Sequence, residues 1–198
     1  MFYKSCIFAA MKNAAIFASG EGTNAENLFG YFKNDNRIKI KLVVTNVDTA
    51  GVIAKAEQHK KNVQIISKAA LNDYTDQIIE FLKAEKIDLI ILAGFLLKIP
   101  EKFISAFPGR IINIHPALLP KYGGKGMYGM NVHRAVIENR EAESGITIHY
   151  VNEEYDKGEV ILQASCKIEE GETPETLSAK IRKLEFEHFP KAIEKLIS

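Results

Sequence analysis

The sequence predicts an α/β fold, an open and mainly parallel twisted sheet of about seven strands with helices on both faces. Three observations carry this. Strand-like and helix-like patterns alternate along almost the whole chain, the order that builds parallel sheets through crossover helices. The first apolar strand pattern, Ala14-Ala15-Ile16-Phe17-Ala18, runs into the close glycines Gly20 and Gly22 and then a helix start. Arg110-Ile111-Ile112-Asn113-Ile114 is a short, β-branched apolar run suited to a buried strand, and Pro116 stops it by removing a donor and holding His115 extended.

Taken in order, strands are predicted over residues 13–19, 38–46, 62–66, 88–93, 110–115, 145–152 and 159–169. Each is an apolar or alternating run closed by glycine, proline or polar residues. Helices are predicted over residues 25–32, 51–59, 72–85, 100–106, 131–138 and 173–197, the last an amphipathic run reaching the terminus. No repeat, low-complexity stretch or interdomain linker interrupts the pattern, so residues 11–198 are expected to form one domain. Residues 1–10 resemble the start of a signal peptide, but their apolar stretch is too short. Met11 directly precedes the first strand, and the segment before it is expected to be an extension without function.

Composition bounds the function. The 198 residues are 46% hydrophobic and 26% charged, values of a globular chain, and the net charge of +1 gives no electrostatic grip on nucleic acid. No run has the length of a transmembrane helix. Cys6 and Cys166 lie far apart without metal-ligand spacing, so reduced thiols and a cytoplasmic protein are expected. Oligomeric state is not written in the pattern, and a homodimer is compatible with it.

Two segments hold the chemistry. Alternation along the strand places Asn113 and His115 on one face at its carboxyl end, where open α/β sheets bind ligands. An amide donor and an imidazole there can hold the oxygen of a carbonyl as it gains negative charge, and a carboxylate can orient and charge the imidazole. Asp156, in Tyr155-Asp156-Lys157-Gly158, is the candidate carboxylate. On the local pattern alone, an Asn or His near a strand end is more often a hydrogen-bonded structural group.

Gly20-Glu21-Gly22-Thr23-Asn24-Ala25 is a second candidate site. Gly22, Thr23 and Asn24 at a helix start form a cup of backbone N–H groups suited to a phosphate dianion. The same spacing satisfies a dinucleotide fingerprint. That fingerprint wants an acidic residue ending the second strand, where Asn46 stands instead and Asp48 comes late.

Asn113-Ile114-His115-Pro116-Ala117-Leu118-Leu119-Pro120 resembles the Asn-x-His-Pro-Ser-Leu-Leu-Pro signature of the folate-dependent formyltransferases, and Asp156-Lys157-Gly158 resembles their Asp-x-Gly element. The first strand and its glycine loop are similar to the opening of the glycinamide ribonucleotide branch of that family. The resemblance implies a Rossmann-like fold and small-molecule substrates. It also implies formyl transfer from 10-formyltetrahydrofolate, as co-substrate and without a metal, to the amine of glycinamide ribonucleotide in purine synthesis. Asn113, protonated His115 and Asp156 would be catalytic.

By the same resemblance Leu96, Leu97, Lys98 and Ile99 would line the pterin pocket, and Asn152, Glu153, Glu154 and Tyr155 would wrap it. Glu185 would hold the amine substrate, against the alternative of a solvated helix face. Thr147 and His149 alternate with apolar residues and are expected to point toward the same site in a supporting role. Two departures from the family pattern touch the cofactor's tail. The stretch Lys121 to Asn131 is longer and richer in glycine than usual, a candidate lid whose Lys121 and Lys125 could meet a phosphate or the folate tail. Leu71 stands where some relatives carry an arginine, with Lys68 nearby as a substitute. A related formyltransferase acting on another amine, a formyltetrahydrofolate hydrolase, and a nucleotide-binding module without activity are the competing readings.

Overall fold

A computed structural model describes residues 11–198, and the extension expected over residues 1–10 lies outside the described residues. The alternating patterns become seven strands in one sheet: β1 (Lys12–Phe17), β2 (Ile38–Thr45), β3 (Asn62–Ile65), β4 (Leu89–Leu92), β5 (Ile111–His115), β6 (Glu143–Tyr150) and β7 (Val160–Lys167). Their spatial order is β3-β2-β1-β4-β5-β6-β7. The pairings from β3 through to β5 are parallel, and β5–β6 and β6–β7 are antiparallel, so the sheet is mainly parallel as expected.

Among the described residues six helices connect strands, and a seventh follows β7: α1 (Thr23–Tyr31), α2 (Val52–Gln58), α3 (Lys68–Asp73), α4 (Thr75–Ala84), α5 (Glu101–Ala106), α6 (Met130–Glu138) and α7 (Pro174–Ile197). The two-residue period of the strands divides the core between the faces. Ala14, Ile16, Ile112 and Ile114 pack with α1, α2, α6 and α7, whereas Ala15, Phe17, Ile90 and Leu92 pack with α3, α4 and α5. Because β1 pairs with β2 on one side and β4 on the other, the connections diverge beside its carboxyl end. This is where such sheets open a ligand crevice.

Several predicted boundaries change. The helix expected over 72–85 is two helices, because Ser67 accepts a hydrogen bond from Ala70 N–H and starts α3 early, and Tyr74 leaves helical geometry at φ −119° before α4 begins. Helix α1 starts at Thr23 rather than residue 25. Strand β6 runs from Glu143 to Tyr150 rather than from 145 to 152.

Two features of α7 position the site. Thr173 caps its start, with Pro174 in the first turn. Pro190, inside the helix, has no N–H for the carbonyl of Phe186 four residues back, and Asn27 Nδ2 of α1 donates to that oxygen at 3.0 Å instead. The helix interruption thereby becomes a clamp between α1 and α7.

Candidate active site

The crevice opens as a cavity of about 540 Å³ between the end of β5, the segment after β4, the helices α1, α6 and α7, and the glycine-rich loop before α6. Asn113, His115 and Asp156 all line it. The sequence motifs, some forty residues apart, therefore meet in space. A smaller apolar recess adjoins it, walled by Leu92, Leu97, Ile99 and Val151, and the two share Phe95, Leu96, Asn113, Tyr155 and Asp156.

Each polar group at the junction is held by an identifiable partner. The ring of His149 is buried opposite Asn113 in the β5–β6 pairing. Its Nδ1 donates to the carbonyl of Tyr150 at 2.8 Å, which leaves Nε2 as an acceptor for Asn113 Nδ2 at 3.1 Å. One N–H of the Asn113 amide is thus fixed, and the other is free to face the cavity. His115, 4% exposed, donates from Nε2 to the carbonyl of Tyr122 at 2.8 Å, turning Nδ1 toward Asp156 Oδ2 at 3.6 Å.

Asp156 occupies a left-handed backbone conformation, φ +55°, that its short polar side chain tolerates. Its Oδ2 accepts from Gly124 N–H at 2.8 Å, and its Oδ1 lies 3.7 Å from His149 Nε2. Gly158 makes that turn possible, since a Cβ there would collide with the carbonyl oxygen of Tyr150.

The charges of this group differ in one respect from the sequence expectation. Burial lowers the His115 pKa below the usual imidazole value despite the opposing pull of Asp156 and the Tyr122 carbonyl, so the neutral ring predominates at neutral pH. The resemblance implies a protonated His115 in catalysis, and burial of the ring opposes that charge in this structure. Burial also penalises the Asp156 carboxylate. The two imidazole rings beside it and the Gly124 N–H outweigh that penalty and hold it below the ordinary aspartate range.

At the far end of the cavity, Thr23 and Asn24 form the first turn of α1 and line the wall, with Gly22 buried behind them. Gly22 has φ +69°, and a Cβ on it would lie 2.5 Å from the Val52 side chain, so only glycine fits. As N-cap it supplies no side chain, which leaves the first helical N–H groups without a side-chain cap. Asn24 Nδ2 donates to Glu185 Oε2 at 2.9 Å, while Asn24 Oδ1 is buried without a partner. Burial pushes the Glu185 carboxyl up despite Asn24 and Arg182. Glu185 accordingly faces inward and does not belong to a solvated helix face.

Of the residues expected around the pterin, Leu96, Leu97, Lys98, Ile99, Asn152, Glu154 and Tyr155 line the recess, with the Lys98 ammonium 5.7 Å from the Tyr155 ring centroid. Glu153 is corrected: it is exposed and lines neither space, because the loop turns it outward. Thr147 also does not face the cavity. Its hydroxyl donates to Ala117 O and accepts from Leu119 N–H and Gln163 Nε2, stapling the loop after β5. Lys121 is held away from the cavity by Glu141 at 2.9 Å, and Tyr122 binds the same carboxylate. Lys125 alone of that pair lines the cavity.

Sequence reasoning missed Phe95, Met127, Tyr128, His133, Ser178 and Arg182 as cavity wall. The α7 residues carried a readable signal, since Ser178, Ile181, Arg182 and Glu185 recur at helical spacing on one face. His133, on α6, is 4% exposed, and burial with Arg182 and His115 nearby pushes it down to about 4. The unfolded chain therefore binds this proton first, and stability falls as pH drops from about 6.5 toward about 4, by about 3 kcal/mol from this ring. Denaturant unfolding at pH 7 and at pH 4.5 measures the loss, and His133→Phe should flatten the profile.

The formyl transferase family model matches residues 12–193. The phosphoribosylglycinamide formyltransferases of Haemophilus influenzae and Bacillus subtilis are each 36% identical to this chain. Those alignments cover 93% and 94% of the chain, and 86% and 95% of the relatives. The chloroplastic phosphoribosylglycinamide formyltransferase of Arabidopsis thaliana is 38% identical over 86% of this chain, which spans 60% of that protein's length. Among solved structures, glycinamide ribonucleotide transformylase 1 from Geobacillus kaustophilus superposes with a TM-score of 0.86 at 34% identity, covering 95% of this chain and all of that one.

Proposed function

The chain belongs to the formyl transferase family, and on that premise we propose that it transfers the formyl group of 10-formyltetrahydrofolate to the amine of glycinamide ribonucleotide, a cytoplasmic step of purine biosynthesis. The observation that carries this reading is the junction of two spaces at Asn113 and Asp156. One of mixed lining reaches the N-terminus of α1, and the other is a smaller, more apolar recess.

The acceptor lies in the larger space. Its phosphate meets the N–H groups of Thr23 and Asn24 and the guanidinium of Arg182. Its ribose hydroxyls supply the donors that the buried Asn24 Oδ1 and the Glu185 carboxylate can accept. The pterin occupies the recess between the Leu96–Ile99 segment and the loop of Asn152, Glu154 and Tyr155, bringing the formyl carbon to Asn113.

The neutral amine attacks the formyl carbon, and the carbonyl electrons move onto oxygen. The free N–H of Asn113 and the His115 ring stabilise the oxyanion. The proton lost by the attacking nitrogen is taken up between Asp156 and His115 Nδ1, where the growing negative charge favours imidazolium. It is then delivered to the folate nitrogen as the carbon–nitrogen bond breaks. One N–H is consumed on the acceptor and one is formed on the leaving nitrogen, so the proton balance closes.

Steady-state release of tetrahydrofolate tests the assignment, with glycinamide ribonucleotide, with methionyl-tRNA and without an amine. Release only with glycinamide ribonucleotide is expected. Release without any amine would instead identify a hydrolase, and release with methionyl-tRNA would identify another acceptor. Within this account Arg182→Ala removes a charged partner of the phosphate. It should raise KM for glycinamide ribonucleotide roughly ten- to a hundredfold while leaving the folate KM unchanged.

A further inference from the structure

His133 is spent on none of the steps above, yet it is a costly residue. Its ring is almost wholly buried between α6 and the cavity, and its Nδ1 is enclosed without a hydrogen-bond partner. A buried polar atom without a partner is destabilising, and an apolar side chain of the same shape would remove that cost. The hydrogen-bonding atom left for a ligand is Nε2. Tautomer logic agrees, because placing the proton on Nδ1 would enclose an unmet donor as well, whereas placing it on Nε2 presents a donor to the cavity. Of the cavity wall, Arg182 on α7 lies near enough to act on its charge, and the same wall carries Ser178 on α7, Lys125 on the glycine-rich loop, the α1 N-terminus at Thr23 and the carboxyl of Glu185.

We infer that His133 is a substrate-contacting residue of the acceptor site, its Nε2–H bonding an anionic oxygen at the phosphoribosyl end of the amine substrate. The inference rests on the proposed formyl transfer and adds to it a specificity determinant on α6. The residue serves ground-state binding of one substrate and no proton-transfer step.

Three variants and one spectrum test it, after wild-type turnover with glycinamide ribonucleotide has been measured. If the wild-type enzyme itself shows no such turnover, the functional assignment fails; with turnover present, the variants judge His133 alone. His133→Phe keeps a ring of similar shape and deletes both nitrogens. It should show a Tm no lower than wild type, a KM for glycinamide ribonucleotide raised about ten- to a hundredfold, and an unchanged folate KM. His133→Gln carries an amide that reaches the Nε2 position and should recover most of the affinity, whereas His133→Asn, whose amide reaches only the Nδ1 position, should not.

Nitrogen-15 spectra of the wild-type histidine rings supply a readout independent of turnover. Glycinamide ribonucleotide should shift the His133 Nε2 resonance, and tetrahydrofolate should leave it in place. Wild-type acceptor KM in His133→Phe would overturn the inference, as would a ring unmoved by the acceptor. A lowered Tm with both KM values raised would also overturn it, since the ring would then serve packing alone.

Discussion

Asn113→Ala is expected to fold and to lose on the order of a hundred- to a thousandfold in kcat, with both KM values little changed. The fold survives because β5 packs through Ile112 and Ile114 on the opposite face and through Ile111, whereas Asn113 faces the crevice and is only half-buried. The rate falls because the free N–H of that amide meets the formyl oxygen only as it becomes an oxyanion. An interaction confined to the transition state appears in kcat. Asn113→Asp is the sharper companion, since it replaces the donor with a carboxylate beside Asp156 and should be no more active than the alanine variant. Because Asn113 and His115 stabilise one oxygen, the double variant should fall well short of the product of the two single losses. Steady-state kinetics with thermal unfolding as a control measures this. A kcat for Asn113→Ala within about tenfold of wild type would remove the amide from the chemistry.

The second large effect is expected at a residue with no functional group. A methyl on Gly158 would be driven into the carbonyl oxygen of Tyr150, the atom that also accepts from His149 Nδ1. The loop can relieve the collision only by moving outward, and that draws Asp156 away from Gly124 and frees His149 to change tautomer. Gly158→Ala should therefore cost about 1–3 kcal/mol of stability through overpacking. It should also lower kcat nearly as far as Asp156→Ala, although the carboxylate is still present. Denaturant unfolding and kcat, measured on the same preparation, check both parts. A stable Gly158→Ala enzyme with wild-type kcat would show that Asp156 does not depend on this turn.

The contrast between these two residues explains how much of the site could be read beforehand. Asn113 and His115 were legible because their placement follows from local rules: a β-branched run, a period of two, and a proline that ends the strand where the polar pair begins. The parallel core of the sheet was legible for a similar reason, each strand and helix being signalled by its own residues. What failed depended on partners distant in sequence. Arg182, exposed on α7, was missed because its place on the cavity wall depends on how α7 packs across α1, where Asn27 binds the Phe186 carbonyl and Asn24 binds Glu185. Lys121 looks free until Glu141 captures it, and Thr147 looks like a site residue until the loop after β5 takes its hydroxyl. The charge of His115 depends on burial, which no motif states. The early start of α3 turned on one local signal, the Ser67 cap, that the apolar periodicity around it obscured.

The central claim is that the formyl carbon passes from the folate to an amine at Asn113. Carbon-13 NMR of a reaction containing 10-formyltetrahydrofolate labelled at the formyl carbon, glycinamide ribonucleotide and the enzyme follows that atom directly. The account predicts that the labelled signal moves to the formamide of formylglycinamide ribonucleotide, with no labelled formate accumulating. Label appearing as formate, or remaining on the folate while the wild-type protein binds both substrates, would contradict it.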